Sequence, residues 1–136
     1  MLNLILIALT MQTPGSQGVF ELYNYVQGER WTLTVTSRSL EQSPSWLESE
    51  IWPPLPPRQA GQIAVKQLAT LVRDSERWRL QTISLRPTGP PGKWVYLVGI
   101  EGPPPRIDGG VHGAVTLIVL MDGTVVVPKR DPWPLR

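Results

Sequence analysis

The chain has 136 residues, enough for one domain with one core, and 41% of them are hydrophobic. Thirteen Lys+Arg and eleven Asp+Glu give a formal net charge of +2. The basic residues are scattered instead of forming a stripe, which argues against a nucleic-acid partner. The absence of cysteine excludes disulfides, thiol catalysis and zinc sites built on sulfur.

Residues 1–18 contain the apolar run LNLILIAL, residues 2–9. A transmembrane helix needs about 20 apolar residues, so no integral membrane span is expected. One interpretation is a signal peptide cleaved after Gly18, with Ser16 and Gly18 as its small residues, although no Lys or Arg precedes Arg30. It predicts a periplasmic or secreted protein. The alternative is a buried N-terminal strand of a cytoplasmic protein, since periodicity does not separate the two.

A β-hairpin is the first element predicted after this segment. Phe20 to Val26 and Arg30 to Thr36 are its strands, and Gln27-Gly28-Glu29 supplies a turn in which glycine can take a positive φ. In the second strand, threonines alternate with apolar residues, a pattern typical of a half-buried strand. Those apolar residues are Trp31, Leu33 and Val35.

A connector and a helix follow the hairpin. Residues Ser37 to Ile51 are mixed in character and favour a short helical turn around Trp46 to Glu50. The proline-rich run from Trp52 to Arg58 predicts an extended polyproline segment, and Pro57 suits the first position of a helix. An apolar stripe predicts that helix over Arg58 to Val72. The stripe consists of Ala60, Ile63, Ala64, Leu68, Leu71 and Val72.

Several strands are predicted after the helix. Trp78 to Leu85 changes phase, which indicates a β-bulge near Gln81-Thr82. Lys93 to Ile100 is a strong strand with apolar residues on both faces. Ala114 to Met121 is a continuous apolar strand, and an Asp-Gly turn joins it to a partner strand over Thr124 to Val127.

The predicted fold class is α+β, with one α-helix packed on an antiparallel sheet of three to five strands. Helix and sheet each have one apolar face to bury, so packing one on the other is the natural solution. We expect a single domain over residues 19–128 and a loosely ordered tail over residues 129–136, KRDPWPLR.

The order of a helix followed by WRLQTISL, KWVYLVGIEG and VTLIVLMDGTVV resembles the PepSY-like group of small bacterial envelope domains, in which a helix precedes a meander. The pattern Trp94-x-Tyr96 and the turn Asp122-Gly123-x-Val125 carry the resemblance, which covers about residues 56–127. The resemblance implies an inhibitory, regulatory or accessory role outside the cytoplasm, without shared catalytic residues.

Residues that could perform chemistry are sparse. His112 is the only histidine, and with Asp108 on a glycine-rich loop it supplies fewer than the three or four ligands that a zinc site needs. Glu48 and Glu50 lie two residues apart, a spacing that does not make a converging pair on a helix or a strand. We therefore expect no catalysis, no metal and no cofactor.

Tryptophans and prolines supply the candidate binding residues. Trp31, Trp78 and Trp94 lie on predicted strands and are expected in the core. Connector tryptophans, Trp133 among them, either pack over the sheet edge or bind a sugar, a peptide or a protein, and loops on rigid scaffolds commonly carry function. The predicted binding residues are Trp46 and Trp52 together with Pro103, Pro104, Pro105, Arg106 and His112 of the loop Glu101 to Gly113.

These features predict a non-catalytic, exported protein-interaction or inhibitory/accessory module. Its partner is an unknown protein or a second copy of this chain. The alternative is a self-assembling structural domain that pairs through its N-terminal strand or a sheet edge. A further hypothesis concerns residues 53–58, PPLPPR, which match the PxxPxR form bound by SH3 domains; the competing interpretation is a stiff entry to the helix.

Overall fold

Two antiparallel three-stranded sheets and two α-helices make up the described part of the chain. The computed structural model describes residues 18–103 and 113–134. One sheet has the strand order β1-β2-β6 and the other β3-β4-β5. In chain order the elements are β1 (Gly18–Val26), β2 (Glu29–Thr36), α1 (Ser37–Gln42), α2 (Pro57–Leu68), a 3₁₀ turn (Ser75–Arg77), β3 (Arg79–Pro87), β4 (Trp94–Glu101), β5 (Ala114–Leu120) and β6 (Lys129–Pro132).

The first hairpin forms where the sequence predicts it. β1 and β2 pair as an antiparallel ladder that runs to Val26 opposite Glu29. The turn residues Gln27 and Gly28 have φ values of 48° and 79°, as a two-residue type I′ turn requires. The predicted alternation is confirmed, since the threonines of β2 are half-buried and its apolar residues are fully buried: Trp31, Leu33 and Val35.

The short helix α1 follows β2 directly. Thr36 is its N-cap: Thr36 Oγ1 accepts a hydrogen bond from the Ser39 N–H, and Ser39 Oγ accepts one from the Thr36 N–H, both at 3.2 Å. These reciprocal bonds form a capping box. The turn expected around Trp46 to Glu50 is present as one hydrogen-bonded turn, with the Glu50 N–H 2.9 Å from Leu47 O, while the helix itself lies earlier.

The longer helix α2 begins at Pro57, as predicted, because the first helical position needs no N–H donor. It ends at Leu68, before the expected Val72. Small residues let it lie close to β3: a Cβ on Gly61 would be 2.8 Å from Ile83 Cδ1. The predicted stripe faces the core, with Ala60, Ala64 and Leu68 buried and Ile63, Leu71 and Val72 packed against them.

The sheet β3-β4-β5 follows the predicted meander. The register of β3 against β4 shifts between Leu80 and Thr82, which confirms the β-bulge. The partner strand expected over Thr124 to Val127 is reduced to a single bridge, Val119 opposite Val125. The Val126 N–H bonds to Ile118 O at 3.0 Å, and Pro128 has no N–H with which to extend a ladder.

The strand β6 corrects the expectation of a loosely ordered tail for residues 129–132. Lys129–Pro132 pairs antiparallel with β2. The Arg130 guanidinium donates to both carboxylate oxygens of Glu29, at 2.6 and 3.0 Å, and lies 5.4 Å from the centre of the Trp31 ring. Contacts with β2 thus order a polar segment whose own preference for a strand is low.

The two sheets meet where β1 contacts β5. The Asn24 side chain, 7% exposed, donates from Nδ2 to Thr116 O at 2.8 Å and accepts at Oδ1 from the Thr116 N–H at 2.9 Å. Hydrophobic residues from both sheets and α2 form one buried cluster. The mixed helix and strand content is confirmed, but the predicted single sheet is corrected to two, with α2 packed mainly on the β3-β4-β5 sheet.

None of the described helices is long and apolar enough to cross a membrane. Both interpretations of residues 1–18 concern a segment of which residues 1–17 lie outside the described residues.

We expect Asn24→Ala to lower the free energy of unfolding by about 1–3 kcal/mol. The substitution leaves the backbone N–H and C=O of the partly buried Thr116 without their side-chain partners. Denaturant titration measures the change. Gln62→Ala, on the exposed face of α2, is the control and should stay within about 0.5 kcal/mol of the parent chain. An Asn24→Ala variant as stable as the parent would contradict the bridging role.

The ion pair of Glu29 and Arg130 predicts a pH dependence. The hydrogen bond from Arg130 lowers the pKa of Glu29, so the pair stabilises the fold above the unfolded pKa and loses this contribution as the pH falls through the folded pKa. The Arg130 and Glu29 side chains are 38% and 30% exposed, so Glu29→Gln should cost at most about 1 kcal/mol at neutral pH. In strong acid the variant and the parent should be equally stable.

Denaturation midpoints measured from neutral pH into strong acid give this comparison. Glu41→Gln, at an exposed position of α1, is the matched control. An effect of Glu29→Gln that does not change with pH would show that the carboxylate charge is not its cause.

Candidate functional site

The connector between α1 and α2 is fixed to the second sheet at its start. Ser43 is 3% exposed, and its Oγ accepts a hydrogen bond from the Met121 N–H at 3.1 Å. Lys93 Nζ donates to Ser43 O at 2.6 Å. Met121 directly follows β5 and Lys93 directly precedes β4, so the connector leaves α1 at a defined position.

Trp46 holds the middle of the connector. The backbone N–H of Trp46 donates to Gly92 O at 2.8 Å, and its indole Nε1 donates to Glu50 O at 3.0 Å. Gly92 has a φ of 73°, a conformation that favours glycine. The Trp46 ring meets Trp94 edge to face, with ring centres 5.5 Å apart and planes at 62°. The predicted binding residue Trp46 is therefore half-buried and also organises the segment around it.

The connector surface consists of Trp46, Leu47, Ile51, Trp52 and Trp94. Leu47, Ile51 and Trp52 are 54%, 83% and 78% exposed. A single exposed apolar side chain is ordinary, whereas a contiguous exposed apolar patch is typical of an interaction site. The predicted binding residue Trp52 is a surface residue, and Trp94, expected in the core, is half-buried beneath the connector.

Two neighbouring cavities of about 190 and 340 Å³ open at the connector surface. The residues common to both are Trp46, Leu47, Glu48 and Trp94. Glu50 also lines the smaller cavity. Glu48 and Glu50 lie in a turn and not on a helix or strand, and both line the smaller cavity.

The proline segment that follows is anchored on the core. Leu55 is 7% exposed, and the Tyr96 hydroxyl donates a hydrogen bond to Leu55 O. Burial raises the pKa of Tyr96. Pro57 and Arg58 belong to α2. The structure therefore favours the stiff entry to the helix over an SH3 ligand, which needs the whole segment exposed and extended.

A second aromatic group lies on the outward face of the β1-β2-β6 sheet. The Arg30 guanidinium lies 5.7 Å from the ring centre of Tyr23 and 5.5 Å from that of Trp133. The Tyr25 and Trp133 rings are 5.2 Å apart. The Tyr23 hydroxyl donates to Glu21, which raises the pKa of Tyr23. Of this group only Trp133 was predicted as a candidate from the sequence, although the alternation of Tyr23 and Tyr25 with Leu22 and Val26 along β1 was an available signal.

The loop predicted to bind falls mostly outside the described residues. Those outside are Pro104, Pro105, Arg106, Asp108 and His112. Pro103 is half-buried and lines a cavity of about 360 Å³ with Arg77 and Arg79. The loop's base is closed by the Gly102 N–H, 2.6 Å from Gly113 O. Pro103 and the connector surface thus line different cavities.

The connector surface borders a cavity with aromatic and aliphatic walls. The polar groups of this cavity are two carboxylates. Within residues 18–103 and 113–134, no group of three or more His, Cys, Asp or Glu could hold a metal ion. Exposed apolar side chains beside cavities are common features of surfaces that contact a protein or a ligand.

Comparison of the chain with models of protein families, with curated proteins and with solved structures finds no match. The PepSY-like resemblance therefore stays a prediction that rests on the sequence patterns.

The different burial of the two tryptophans predicts different effects on stability. We expect Trp52→Ser to change the free energy of unfolding by less than about 0.5 kcal/mol, because its side chain is already in water. Trp94→Ala should cost at least about 1 kcal/mol, since it removes ring contacts under the connector. Denaturant titration compares the two. A large loss for Trp52→Ser would mean that this side chain is part of the core.

Proposed function

We propose that this chain is a non-catalytic interaction module, exported to the bacterial envelope, that binds a partner protein through the connector surface. One observation carries the proposal: Ile51 and Trp52 are 83% and 78% exposed on a segment whose backbone is held on both sides. The turn closed at Glu50 precedes them, and the anchored Leu55 follows them.

The energetics of such a surface support binding. Burying one large apolar side chain contributes about 1.5–3 kcal/mol. Association also costs the ordering of whatever is mobile before binding, and a segment already held in place avoids part of that cost. Tryptophan is among the residues that most often dominate interface energies. Trp52, flanked by Ile51 and Leu47, supplies an anchor of this kind.

The charges beside the connector surface favour one kind of partner. Glu48 and Glu50 are exposed next to Leu47 and Ile51. Complementary charges across an interface direct association and exclude wrong partners. The partner's surface is therefore apolar at its centre and carries Lys or Arg at its rim.

Self-assembly through a sheet edge has less support. β3 is an outer strand of its sheet, and β5, the other, lies beside β1. β3 carries a bulge between Leu80 and Thr82, charged residues at Arg79 and Arg86, and Pro87 at its end. Bulges, charges and proline are the devices by which natural edge strands avoid pairing with other copies.

The experiment is site-specific photo-crosslinking in a secretion-competent bacterial host. A photoreactive phenylalanine analogue replaces Trp52, and the same analogue replaces Gln62, which is exposed on α2, as the matched control. We expect a discrete adduct from position 52 and none from position 62. Ile51→Ser should reduce the yield of that adduct.

Three outcomes would count against the proposal. The same adducts from both positions would mean non-specific contact, and no adduct from position 52 would leave the connector surface without a partner. An adduct with the mass of two chains would favour self-assembly. The export part is tested in the same cells, because the intact mass of the protein in the periplasmic and cytoplasmic fractions shows whether residues 1–18 are removed.

A further inference from the structure

The smaller cavity of the connector surface has two tryptophan walls. Trp46 and Trp94 line it with their rings at 62° to each other. Aromatic faces carry negative charge density above the ring, and tryptophan is the side chain that attracts cations most strongly in this way. Because the indole Nε1 of Trp46 already donates to Glu50 O, Trp46 offers a guest no free side-chain donor.

The charged residues of the same cavity are both acidic. Glu48 and Glu50 line it, and no Lys or Arg is among its lining residues. The nearest basic residue along the chain, Lys93, directs its ammonium group to Ser43 O, 2.6 Å away. The cavity therefore combines two tryptophan rings with two carboxylates, a combination that favours a cationic guest.

We propose that this cavity binds an alkylammonium cation, and specifically a methylated ammonium group of the trimethylammonium type. Aromatic side chains that surround a quaternary ammonium are an established mode of recognising choline and methylated lysine groups. The volume, about 190 Å³, exceeds the about 150 Å³ of a cavity known to hold benzene, so a trimethylammonium group fits.

The chemistry of the walls separates methylated from primary ammonium groups. A primary ammonium brings three N–H donors that each need an acceptor when water is removed. The only acceptors among the described lining side chains are the two exposed carboxylates, and the tryptophan and leucine walls offer none. A trimethylammonium group has no N–H to satisfy and presents methyl groups to the rings. The inference deepens the proposed function, on which it rests for its biological role, because the cavity lies within the connector surface.

The first experiment titrates the full chain, labelled with ¹⁵N, with choline and with 3,3-dimethylbutan-1-ol, its uncharged analogue of the same shape. Indole N–H shifts of Trp46 and Trp94 report on the cavity. We expect saturable binding of choline and at least tenfold weaker binding of the neutral analogue. Choline binding should weaken as salt rises. Equal binding of the two compounds would overturn the proposal, since the cavity would then be merely apolar.

Variants test the two features independently. Trp94→Leu should weaken choline binding at least fivefold by removing a tryptophan wall. Because Trp94 is half-buried, its replacement can also affect folding, so a second variant is needed at exposed positions. The double variant Glu48→Gln with Glu50→Gln changes two exposed carboxylates. It should weaken choline binding at least threefold and flatten the salt dependence of that binding. Unchanged binding in the double variant would contradict the charge argument.

Two further comparisons separate the site from the protein interface and from other cations. Trp52→Ser should leave choline binding unchanged, since Trp52 does not line the cavity, while it removes the anchor on which the interaction module depends. Failure of one proposal thus leaves the other measurable. Tighter binding of Nα-acetyl-lysine methylamide than of choline would overturn the preference for a methylated group.

Discussion

The pairing of the Asn24 carboxamide with the Thr116 backbone is the constraint on which the arrangement of the two sheets depends. A strand edge leaves peptide groups that need partners wherever water is excluded, and here the partner is a side-chain amide in place of another strand. The junction sets β1 beside β5. The connector starts beyond β2 and is held at the end of β5, where Ser43 accepts from Met121. The position of the connector surface therefore depends on the same junction.

Sequence reasoning succeeds for the elements whose causes lie within a few residues. The Gln27-Gly28 turn, the start of α2 at Pro57 and the bulge at Leu80–Thr82 follow from positive φ, the missing proline N–H and a break in alternation. β6 was not predictable in this way, because its ion pair joins residues 101 positions apart. The division into two sheets depends likewise on hydrogen bonds between residues 92 positions apart.

The same distinction between local and long-range causes applies to the candidate site. Trp46 and Trp52 were identifiable from the sequence, because a connector position beside serine or proline is an unusual place for a core tryptophan. The cavity itself was not, because it needs Trp94 and the turn at residues 47–50 to come together. Spacing rules for helices and strands say nothing about side chains in an irregular turn such as this one, in which the Trp46 indole donates to Glu50 O.

The exposure of Ile51 and Trp52 follows from which residue of the proline segment enters the core. Leu55 takes that place, and Tyr96 binds its carbonyl. Pro53 and Pro54 have a fixed φ and no N–H, so the chain before Leu55 has little freedom to fold back and bury a second side chain. The preceding turn restrains the other side. Two large apolar side chains thus lie in water because the backbone holds them there, and this is the physical reason for assigning them a partner outside the chain.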